Sequence, residues 1–234
     1  MWEAAARSAL GRYLTEIERR ALVQASELAC PPGTALEVGC DGGRWSILLR
    51  QLGWSNVCTD VLPESLERTR RRLPDATCVL VEPTDRRLPA KDASIDLLLV
   101  CEVPSVTEAE WFPREARRVL RPDGVLVFSH HNSRSYRGLA YRGARKLQTL
   151  WGGDRLKSYY YNGPPYESLR ATLLNLGFEI VNQEGFCWLP FGRRSDSPLV
   201  APAARMESLL GLRAMTDVSP WVMCIARLRS QSEE

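Results

Sequence analysis

Short apolar segments alternate with segments of helical periodicity through the first half of the chain. Five of the apolar segments are typical of buried strands, and they fall within about 100 residues. They cover residues 35–38, 57–59, 77–81, 95–101 and 125–129. Parallel neighbouring strands need crossover connections, and right-handed crossovers place helices on both faces of a sheet. The sequence therefore predicts an α/β protein with a doubly wound, Rossmann-like sheet.

Helix start and stop signals divide the remaining sequence. An amphipathic pattern predicts an N-terminal helix over residues 2–28, with a break near Gly11. Thr107 and Glu110 have the spacing of a capping box, which predicts a helix from there to Leu120, followed by a turn at 121–124. Further helices are predicted at 44–52, 63–73, 166–176 and 202–212, and two more strands at 178–187 and 221–228.

Composition favours one soluble globular domain. The 234 residues include 31 Lys and Arg against 28 Asp and Glu, with 44% hydrophobic residues, which excludes a disordered chain. The seven cysteines contain no C-x-x-C pair and no spacing typical of metal ligands, so we expect reduced thiols and no metal site. No apolar run approaches the roughly 18 residues of a membrane span, and we expect a cytoplasmic protein.

The positive charge is concentrated in one segment. Residues 134–157 hold seven basic residues and one acid, whereas the rest of the chain is mildly acidic. Three interpretations stay open: ion pairs with acids elsewhere in the protein, a small anionic acceptor, or a nucleic-acid or membrane surface. Nucleic acid is the weakest of these because the chain shows no separate RNA-binding module.

A glycine-containing turn follows the first predicted strand, at residues 37–43 (EVGCDGG). No Gly-Lys-Ser/Thr occurs, so the phosphate loop of nucleoside triphosphatases is absent from the sequence. The dinucleotide pattern G-x-G-x-x-G also fails, because Asp41 stands at its second glycine and its charge would repel a pyrophosphate. The turn therefore favours a cationic or zwitterionic ligand.

Residues 36–46, LEVGCDGGRWS, resemble the first motif (E/D-x-G-x-G-x-G) of the class I S-adenosylmethionine-dependent methyltransferases. Glu37, Gly39 and Gly43 match that motif, and Asp41 departs from its middle glycine. The resemblance continues in order through Asp60, residues 88–89, 94–96 and 101–103, and ends with REARRVLRPDG at 114–124. It covers residues 35–132 and is strongest to small enzymes that methylate metabolites.

The resemblance implies a fold and a domain plan. The sheet would have seven strands in the order 3-2-1-4-5-7-6, with strand 7 antiparallel. A single domain would comprise an N-terminal helical lid (1–30), a cofactor-binding core (31–132) and acceptor-side insertions at 133–165 and 190–212. The first of these insertions would be helical and would follow strand 5.

The resemblance also implies S-adenosylmethionine as cofactor and assigns residues to it. Glu37 would organise the turn and reach the ligand's ammonium group, and the turn around Gly39 would lie against the methionine part. Asp60 would accept hydrogen bonds from the ribose hydroxyls, although it could instead cap the helix that begins at Pro63. The remaining candidate contacts are Cys40, Asp41 and Gly43 in the turn, Val61 and Leu62 beside the adenine, and the backbone carbonyl of Cys101.

Two acids compete for the adenine amino group. Glu82 occupies the expected place after strand 3, but Pro83 follows it and has no N–H to donate to the ring. Asp85 followed by Arg86 offers both an acceptor and a donor. We favour Asp85 and keep Glu82 as the alternative.

Few residues in the sequence indicate what the methyl acceptor is. His130 and His131, the two histidines of the chain, follow the fifth strand at the expected acceptor side and could serve as a general base. Residues 159–161 (YYY), with Tyr136 and Trp151, could form an aromatic lid over a planar acceptor, or could simply pack.

The predicted function is methyl transfer to an O, N or C atom of a small anionic or aromatic metabolite. An RNA-modifying methyltransferase and a protein that binds S-adenosylmethionine or S-adenosylhomocysteine without catalysis are the alternatives. No oligomeric state is predicted.

Overall fold

A computed structural model describes residues 5–150 and 161–230 of the chain, with the side chains of residues 149 and 150 excepted. The strands are β1 (Thr34–Val38), β2 (Ser55–Asp60), β3 (Thr77–Leu80), β4 (Ile95–Val100), β5 (Leu120–His131), β6 (Phe178–Phe186) and β7 (Trp221–Leu228). The helices of this described part are α1 (Ala9–Leu28), α2 (Arg44–Gln51), α3 (Pro63–Arg72), α4 (Pro104–Thr107), α5 (Phe112–Val119), α6 (Tyr136–Leu150), α7 (Tyr166–Asn175) and α8 (Val200–Leu209).

The seven strands form one sheet in the order β3-β2-β1-β4-β5-β7-β6. The pairs within β3-β2-β1-β4-β5 are parallel, whereas β7 is antiparallel to both β5 and β6. The predicted strand order and the antiparallel seventh strand are confirmed. The carboxyl ends of the parallel strands meet at one edge, where ligands bind in folds of this type.

A hydrophobic core covers each face of the sheet, as the alternation of side chains along β4 illustrates. Leu97 and Leu99 point into a core shared with α1 and α2. Leu98 and Val100 point into a second core shared with α5 and α7. All four side chains are at most 1% exposed, and burial of each stabilises the fold by about 1.5–3 kcal/mol.

The N-terminal helical segment is interrupted a few residues before Gly11, where the break was predicted. Its break lies at Ser8, which caps α1 by accepting a hydrogen bond from the backbone N–H of Gly11. Gly11 itself is inside the helix, and a Cβ there would lie 2.0 Å from the carbonyl oxygen of Ala5. Gly11 therefore permits the close approach of the preceding turn rather than breaking the helix.

The predicted capping box at Thr107 and Glu110 is wrong. Thr107 ends the short helix α4, and its hydroxyl donates back to the carbonyl of Val103. The next helix, α5, begins only at Phe112, with Pro113 in its first turn. Pro104 and Pro113 each provide a fixed φ at a helix start, so the segment divides into two helices.

The predicted turn at residues 121–124 lies within a longer strand. β5 begins at Leu120, which pairs with Ile95, and the pairing resumes at Leu97 with Val125. The register shift makes this segment a bulge, and Asp123 has a φ of +64° within it. The local turn signal was correct, but the strand pairing continues on both sides of it.

Candidate cofactor cleft

The turn between β1 and α2 is held against β2 by its backbone. The N–H groups of Gly39 and Cys40 both donate to the carbonyl of Thr59, at 2.9 Å. Gly39 has a φ of +74°, and a Cβ on it would lie 2.5 Å from Cγ2 of Val103. Only glycine fits here without displacing Val103. Two clefts meet at Gly39, which lines both of them.

Asp41, which replaces the middle glycine of the motif, adopts a φ of +46°. Its N–H donates to Oδ2 of Asp60 at 2.9 Å, and its carboxylate pairs with Arg68 of α3 at 2.8 Å. Aspartate tolerates the left-handed conformation better than most residues. The Arg68 guanidinium also neutralises the charge at the place where the family has no side chain.

The cleft on the β2 side, here called the β2 cleft, has a volume of about 130 Å³. Asp60, at the end of β2, is 8% exposed and accepts a second hydrogen bond from the N–H of Leu62 at 2.9 Å. Burial raises the pKa of Asp60, although the backbone donors oppose this. Each carboxylate oxygen keeps acceptor capacity for a further donor. Val61 lines the cleft, whereas Leu62 is not among its lining residues.

Asp60 also braces the start of α3. The residue at the N-cap position of that helix is Leu62, whose side chain makes no capping hydrogen bond. The bond from Leu62 N–H to Asp60 therefore stabilises the chain before Pro63. The binding and bracing interpretations of Asp60 are compatible, because one carboxylate can accept several hydrogen bonds.

Glu82 and Asp85 both line the β2 cleft and both are exposed. They are linked by a tight turn in which Asp85 Oδ2 accepts from the N–H of Glu82 and Asp85 N–H donates to the carbonyl of Glu82, at 2.9 and 3.0 Å. Arg86, the donor that favoured Asp85, is not among the lining residues. Both acids stay candidates for the adenine contact.

The cleft on the α1 side, here called the α1 cleft, has a volume of about 160 Å³ and contains an unusual set of buried charges. Besides Asp41 of the turn, three carboxylates and two guanidinium groups line it: Glu18, Glu37, Glu102, Arg44 and Arg193. Arg44 pairs with Glu18 at 2.7 Å, and Arg193 pairs with Glu102 at 2.6 Å. Glu18 lies on α1, Glu37 on β1 and Arg44 on α2. Glu102 follows β4, and Arg193 lies in the loop before α8. The excess of carboxylate suits a ligand that brings positive charge.

Burial controls the ionisation of these carboxylates. Desolvation raises the pKa of Glu18 to about 8, with the charge of Glu102 adding to it and Arg44 opposing it. Desolvation likewise raises the pKa of Glu37 to about 8, and the hydroxyl of Ser46, which donates to Glu37, opposes it. The pKa of Glu102 rises to about 7 for the same reason. Perturbed carboxylates that share a cleft are typical of functional sites.

The cysteines of the site do not act as exposed thiols. Cys101 directly follows β4 and lines the α1 cleft, and burial raises the pKa of its thiol well above the usual value. Cys40 also lines the cleft, with its sulfur 3.5 Å from the hydroxyl of Thr69. Both thiols are therefore uncharged near neutral pH, which is consistent with a role for their backbone atoms.

The two histidines are buried, at 0% and 1% exposure, and are not among the described residues that line either cleft. His130 Nε2–H donates to the carbonyl of Pro164 at 2.9 Å, and burial lowers its pKa to about 4. His131 Nδ1 lies 3.3 Å from Glu108 Oε1, and burial lowers its pKa too. The structure thus differs from the open pair of histidines that the sequence suggested.

The aromatic lid lies largely outside the described residues, since Trp151, Tyr159 and Tyr160 are not described. Tyr161 packs rather than covers a cleft, because its hydroxyl accepts from Nε1 of Trp221 at 3.1 Å. Tyr136 is 45% exposed on α6.

Several arginines in the described part of the basic segment contact other groups of the protein itself. Arg134 pairs with Glu167 at 2.7 Å. Arg137 donates to the carbonyl of Cys187, and Arg142 donates to that of Ser133. Arg155 and Lys157 lie outside the described residues.

Sequence reasoning missed four residues of the α1 cleft: Glu18, Arg44, Glu102 and Arg193. Glu18 lies on the buried face of the N-terminal helix. Acidic side chains are rarely buried, so an acid on that face indicates a functional role once the face is known. Arg193 belongs to the second predicted insertion, whose path no local pattern specified. The predicted lid and insertion thus contribute one side chain each to the α1 cleft.

Comparison with known proteins agrees with this geometry. A methyltransferase domain family matches residues 36–128, which contain β1 to β5 up to Phe128. These residues are therefore similar to a methyltransferase domain, and the similarity implies S-adenosylmethionine as cofactor. The match includes Glu37, Gly39 and Asp60.

Individual relatives are only distantly similar to this chain. A 2-methyl-6-phytyl-1,4-hydroquinone methyltransferase of Synechocystis sp. is 32% identical over 46% of the chain, and the matched part spans 35% of that relative's length. An S-adenosylmethionine-dependent methyltransferase of Mesorhizobium loti has a TM-score of 0.57 at 19% identity and covers 88% of this chain and 97% of its own. A [4+2]-cyclase has a TM-score of 0.56 at 19% identity over 90% of this chain and 80% of its own. The two solved structures show the fold.

The residues of the clefts fit the cofactor. Its ammonium group would meet Glu37 and its carboxylate would meet Arg44 in the α1 cleft, and its ribose hydroxyls would meet Asp60 across the small turn at Gly39. In the described part of the chain no helix is long and apolar enough to cross a membrane, and no cluster of three or more His, Cys, Asp or Glu residues could hold a metal.

Proposed function

We propose that this protein transfers the methyl group of S-adenosylmethionine to a small metabolite acceptor, and that the cofactor spans the two clefts that meet at Gly39. The observation that carries the proposal is that the two clefts are lined by different kinds of side chain. Buried carboxylates and Arg44 line the α1 cleft, whereas Asp60 and an apolar rim line the β2 cleft.

Each part of the cofactor has a complementary partner in this arrangement. Glu37 and the backbone of Gly39 and Cys101 suit the methionine ammonium group, and Arg44 suits its carboxylate. Asp60 suits the ribose diol, and Glu82 or Asp85 suits the adenine amino group. The cofactor supplies an electrophilic methyl group on a sulfonium, and the task of the protein is to hold an acceptor in line with it.

The α1 cleft is also the place for the acceptor. Arg193 reaches it from the loop before α8, so one predicted acceptor-side insertion contributes a charged group next to the cofactor. The relative from Synechocystis sp. acts on a hydroquinone, which supports an aromatic acceptor that carries hydroxyl groups. We propose a small aromatic or anionic molecule.

The test begins with isothermal titration of the purified chain with S-adenosylmethionine and S-adenosylhomocysteine. We expect both to bind, with weaker binding in Gly39→Val, because a side chain at this position collides with Val103. Gly192→Val, at an open position on the surface loop, is the matched control.

Incubation with cofactor that carries a labelled methyl group and a metabolite extract then tests transfer. Label in a small molecule supports the proposal, and label in RNA identifies the RNA-modifying alternative. Tight cofactor binding without transfer to any fraction would establish the non-catalytic binding protein instead. Failure of both cofactor forms to bind would overturn the proposal.

A further inference from the structure

Glu102 occupies a constrained position at the edge where ligands bind. It comes two residues after the end of β4 and lines the α1 cleft. Its φ is +57°, and its N–H donates to Oγ of Ser129 on β5 at 2.7 Å. The left-handed conformation is unfavourable for a residue with a side chain, and it persists only where neighbouring structure imposes it. Two adjacent strands therefore fix the direction of this carboxylate.

The two oxygens of the Glu102 carboxylate have different surroundings. Oε2 accepts a hydrogen bond from Arg193 Nη2 at 2.6 Å. Oε1 is shielded from solvent and accepts no hydrogen bond from residues 5–150 or 161–230. The side chain as a whole is 10% exposed. A buried acceptor without a donor is unfavourable, and in native proteins it calls for an explanation such as a catalytic role.

Arg193 determines which kind of donor suits that oxygen. Its guanidinium group lies 5.8 Å from the centre of the Trp221 ring and keeps its charge at all physiological pH values. Arg44, 4.1 Å from the centre of the Trp45 ring, adds a second positive charge to the lining of the same cleft. Beside Oε1 of Glu102, these charges stabilise a donor oxygen that becomes an anion.

We propose that Glu102 is the proton acceptor for a phenolic hydroxyl group of the methyl acceptor, and that Arg193 stabilises the phenolate that forms. The inference rests on the proposed function and specifies its substrate class. The acceptor O–H bond breaks and its proton passes to Oε1 of Glu102. The phenolate oxygen forms a bond to the methyl carbon as the carbon–sulfur bond breaks, and that electron pair returns to sulfur. The sulfonium charge is lost as the phenolate charge is lost, and the Glu102 proton then leaves to solvent.

The ionisation of Glu102 is consistent with this role. Desolvation raises its pKa to about 7, and Arg193 and Arg44 limit the increase. The other groups that face it are Glu18 on α1 and the thiols of Cys101 and Cys187, whose pKa values are all raised. A base with a pKa near the working pH is the most effective. The histidines are engaged elsewhere, His130 with Pro164 and His131 with Glu108.

The experiment uses 4-nitrocatechol, which absorbs differently as a phenol and as a phenolate, with protein saturated with S-adenosylhomocysteine. We expect the probe to bind the natural chain and to be more ionised when bound than when free at a slightly acidic pH. In Glu102→Gln the affinity for S-adenosylhomocysteine stays within about threefold, the probe binds about tenfold more weakly, and its spectral shift disappears.

Two further variants sharpen the test. Arg193→Ala retains the base but removes the stabilising charge, so we expect a smaller phenolate fraction in the bound probe. Glu110→Gln, at an exposed glutamate of the same connection, is the matched control and leaves affinity and spectrum unchanged. Circular dichroism of each variant verifies that it is folded.

The outcomes separate the two proposals. Failure of S-adenosylhomocysteine to bind the natural chain contradicts the proposed function. If the cofactor product binds but 4-nitrocatechol does not, or if it binds Glu102→Gln with an unchanged spectrum, the role of Glu102 is refuted.

Discussion

Oε1 of Glu108 and Nδ1 of His131 lie 3.3 Å apart, and the same carboxylate accepts hydrogen bonds from three successive backbone N–H groups of residues 161–163. His130 binds the carbonyl of the next residue, Pro164, at 2.9 Å. The two histidines at the end of β5 therefore join the last residues of the first insertion to the sheet. Their role in the structure is to anchor this segment beside α4.

Replacement of Glu108 by Ala should destabilise the protein by about 2–4 kcal/mol, because the N–H groups of Tyr161, Asn162 and Gly163 lose a charged acceptor. Urea unfolding followed by circular dichroism measures the change. Glu110→Ala, at an exposed neighbouring glutamate, should change the free energy of unfolding by less than about 0.5 kcal/mol. Equal effects of the two substitutions would show that the anchor contributes nothing specific.

His130 should make stability fall as the pH decreases. Its pKa is about 4 in the folded protein and about 6.5 when unfolded, so the unfolded chain takes up the proton first on acidification. This contribution is constant above about pH 6.5 and is lost between there and about pH 4. We expect the natural chain to lose about 2 kcal/mol more between pH 7 and pH 5 than His130→Gln, which keeps an N–H donor but cannot ionise in this range.

Unfolding in urea at both pH values measures this difference. Because the comparison is between two chains that share all other titrating groups, the carboxylates cancel. Parallel pH dependence of the natural chain and His130→Gln would mean that His130 takes up its proton equally readily in both states.

The sheet was predictable because its signal is local and repeated. The apolar strand segments and the glycine turn at Gly39 each satisfy short-range requirements, and the family resemblance ordered them. The errors arose where a local signal competed with a nearby one. Thr107 and Glu110 have capping-box spacing, but Pro113 starts the helix later. The turn at 121–124 is a bulge within β5, and β5 pairs with β4 on both sides of it.

The charged half of the site could not be predicted in the same way. Glu18 and Glu102 are about 80 residues apart, and Arg193 is about 90 residues beyond Glu102, so only the fold brings them together. The histidines illustrate the reverse case. Their place at the end of β5 was correct, but burial and the partners Glu108 and Pro164 depend on a segment whose path the sequence does not specify.

Glu37→Gln should weaken cofactor binding and stabilise the free protein at the same time. The pKa of Glu37 in the folded protein, about 8, is above its ordinary value. The contribution of Glu37 to the free energy of unfolding is therefore complete at low pH, where the carboxyl group is neutral, and is lost as the pH rises through about 8. Gln retains an oxygen for the Ser46 hydroxyl but carries no charge. We expect a gain of about 1–3 kcal/mol at pH 8 and a smaller gain at pH 5.

Thermal or urea unfolding at both pH values, with titration of S-adenosylmethionine, checks the two effects on one variant. Glu27→Gln, an exposed position on α1, should change neither. A loss of stability at pH 8 in Glu37→Gln would contradict this prediction, because it would show that the ionised carboxylate stabilises the free protein.

Asp60→Asn should reduce the affinity for S-adenosylhomocysteine by about tenfold or more, because one carboxylate oxygen that would accept a ribose hydroxyl becomes a donor. The N–H groups of Asp41 and Leu62 donate to different oxygens of Asp60, so Asn leaves one of the two without an acceptor. We expect a small loss of stability at the turn or at the start of α3. Asp75→Asn, at an exposed aspartate that pairs with Arg50, is the control for loss of a charge.

The choice between Glu82 and Asp85 is tested by replacing each with Ala and titrating S-adenosylhomocysteine. We expect Asp85→Ala to weaken binding more, by roughly five- to tenfold, because it removes an acceptor at the rim of the β2 cleft and releases the N–H of Glu82 from its turn. A titration with S-inosylhomocysteine, which lacks the amino group, should show little difference between Asp85→Ala and the natural chain. If Glu82→Ala alone weakens binding of the adenosyl ligand, Glu82 is the adenine contact and the preference for Asp85 is wrong.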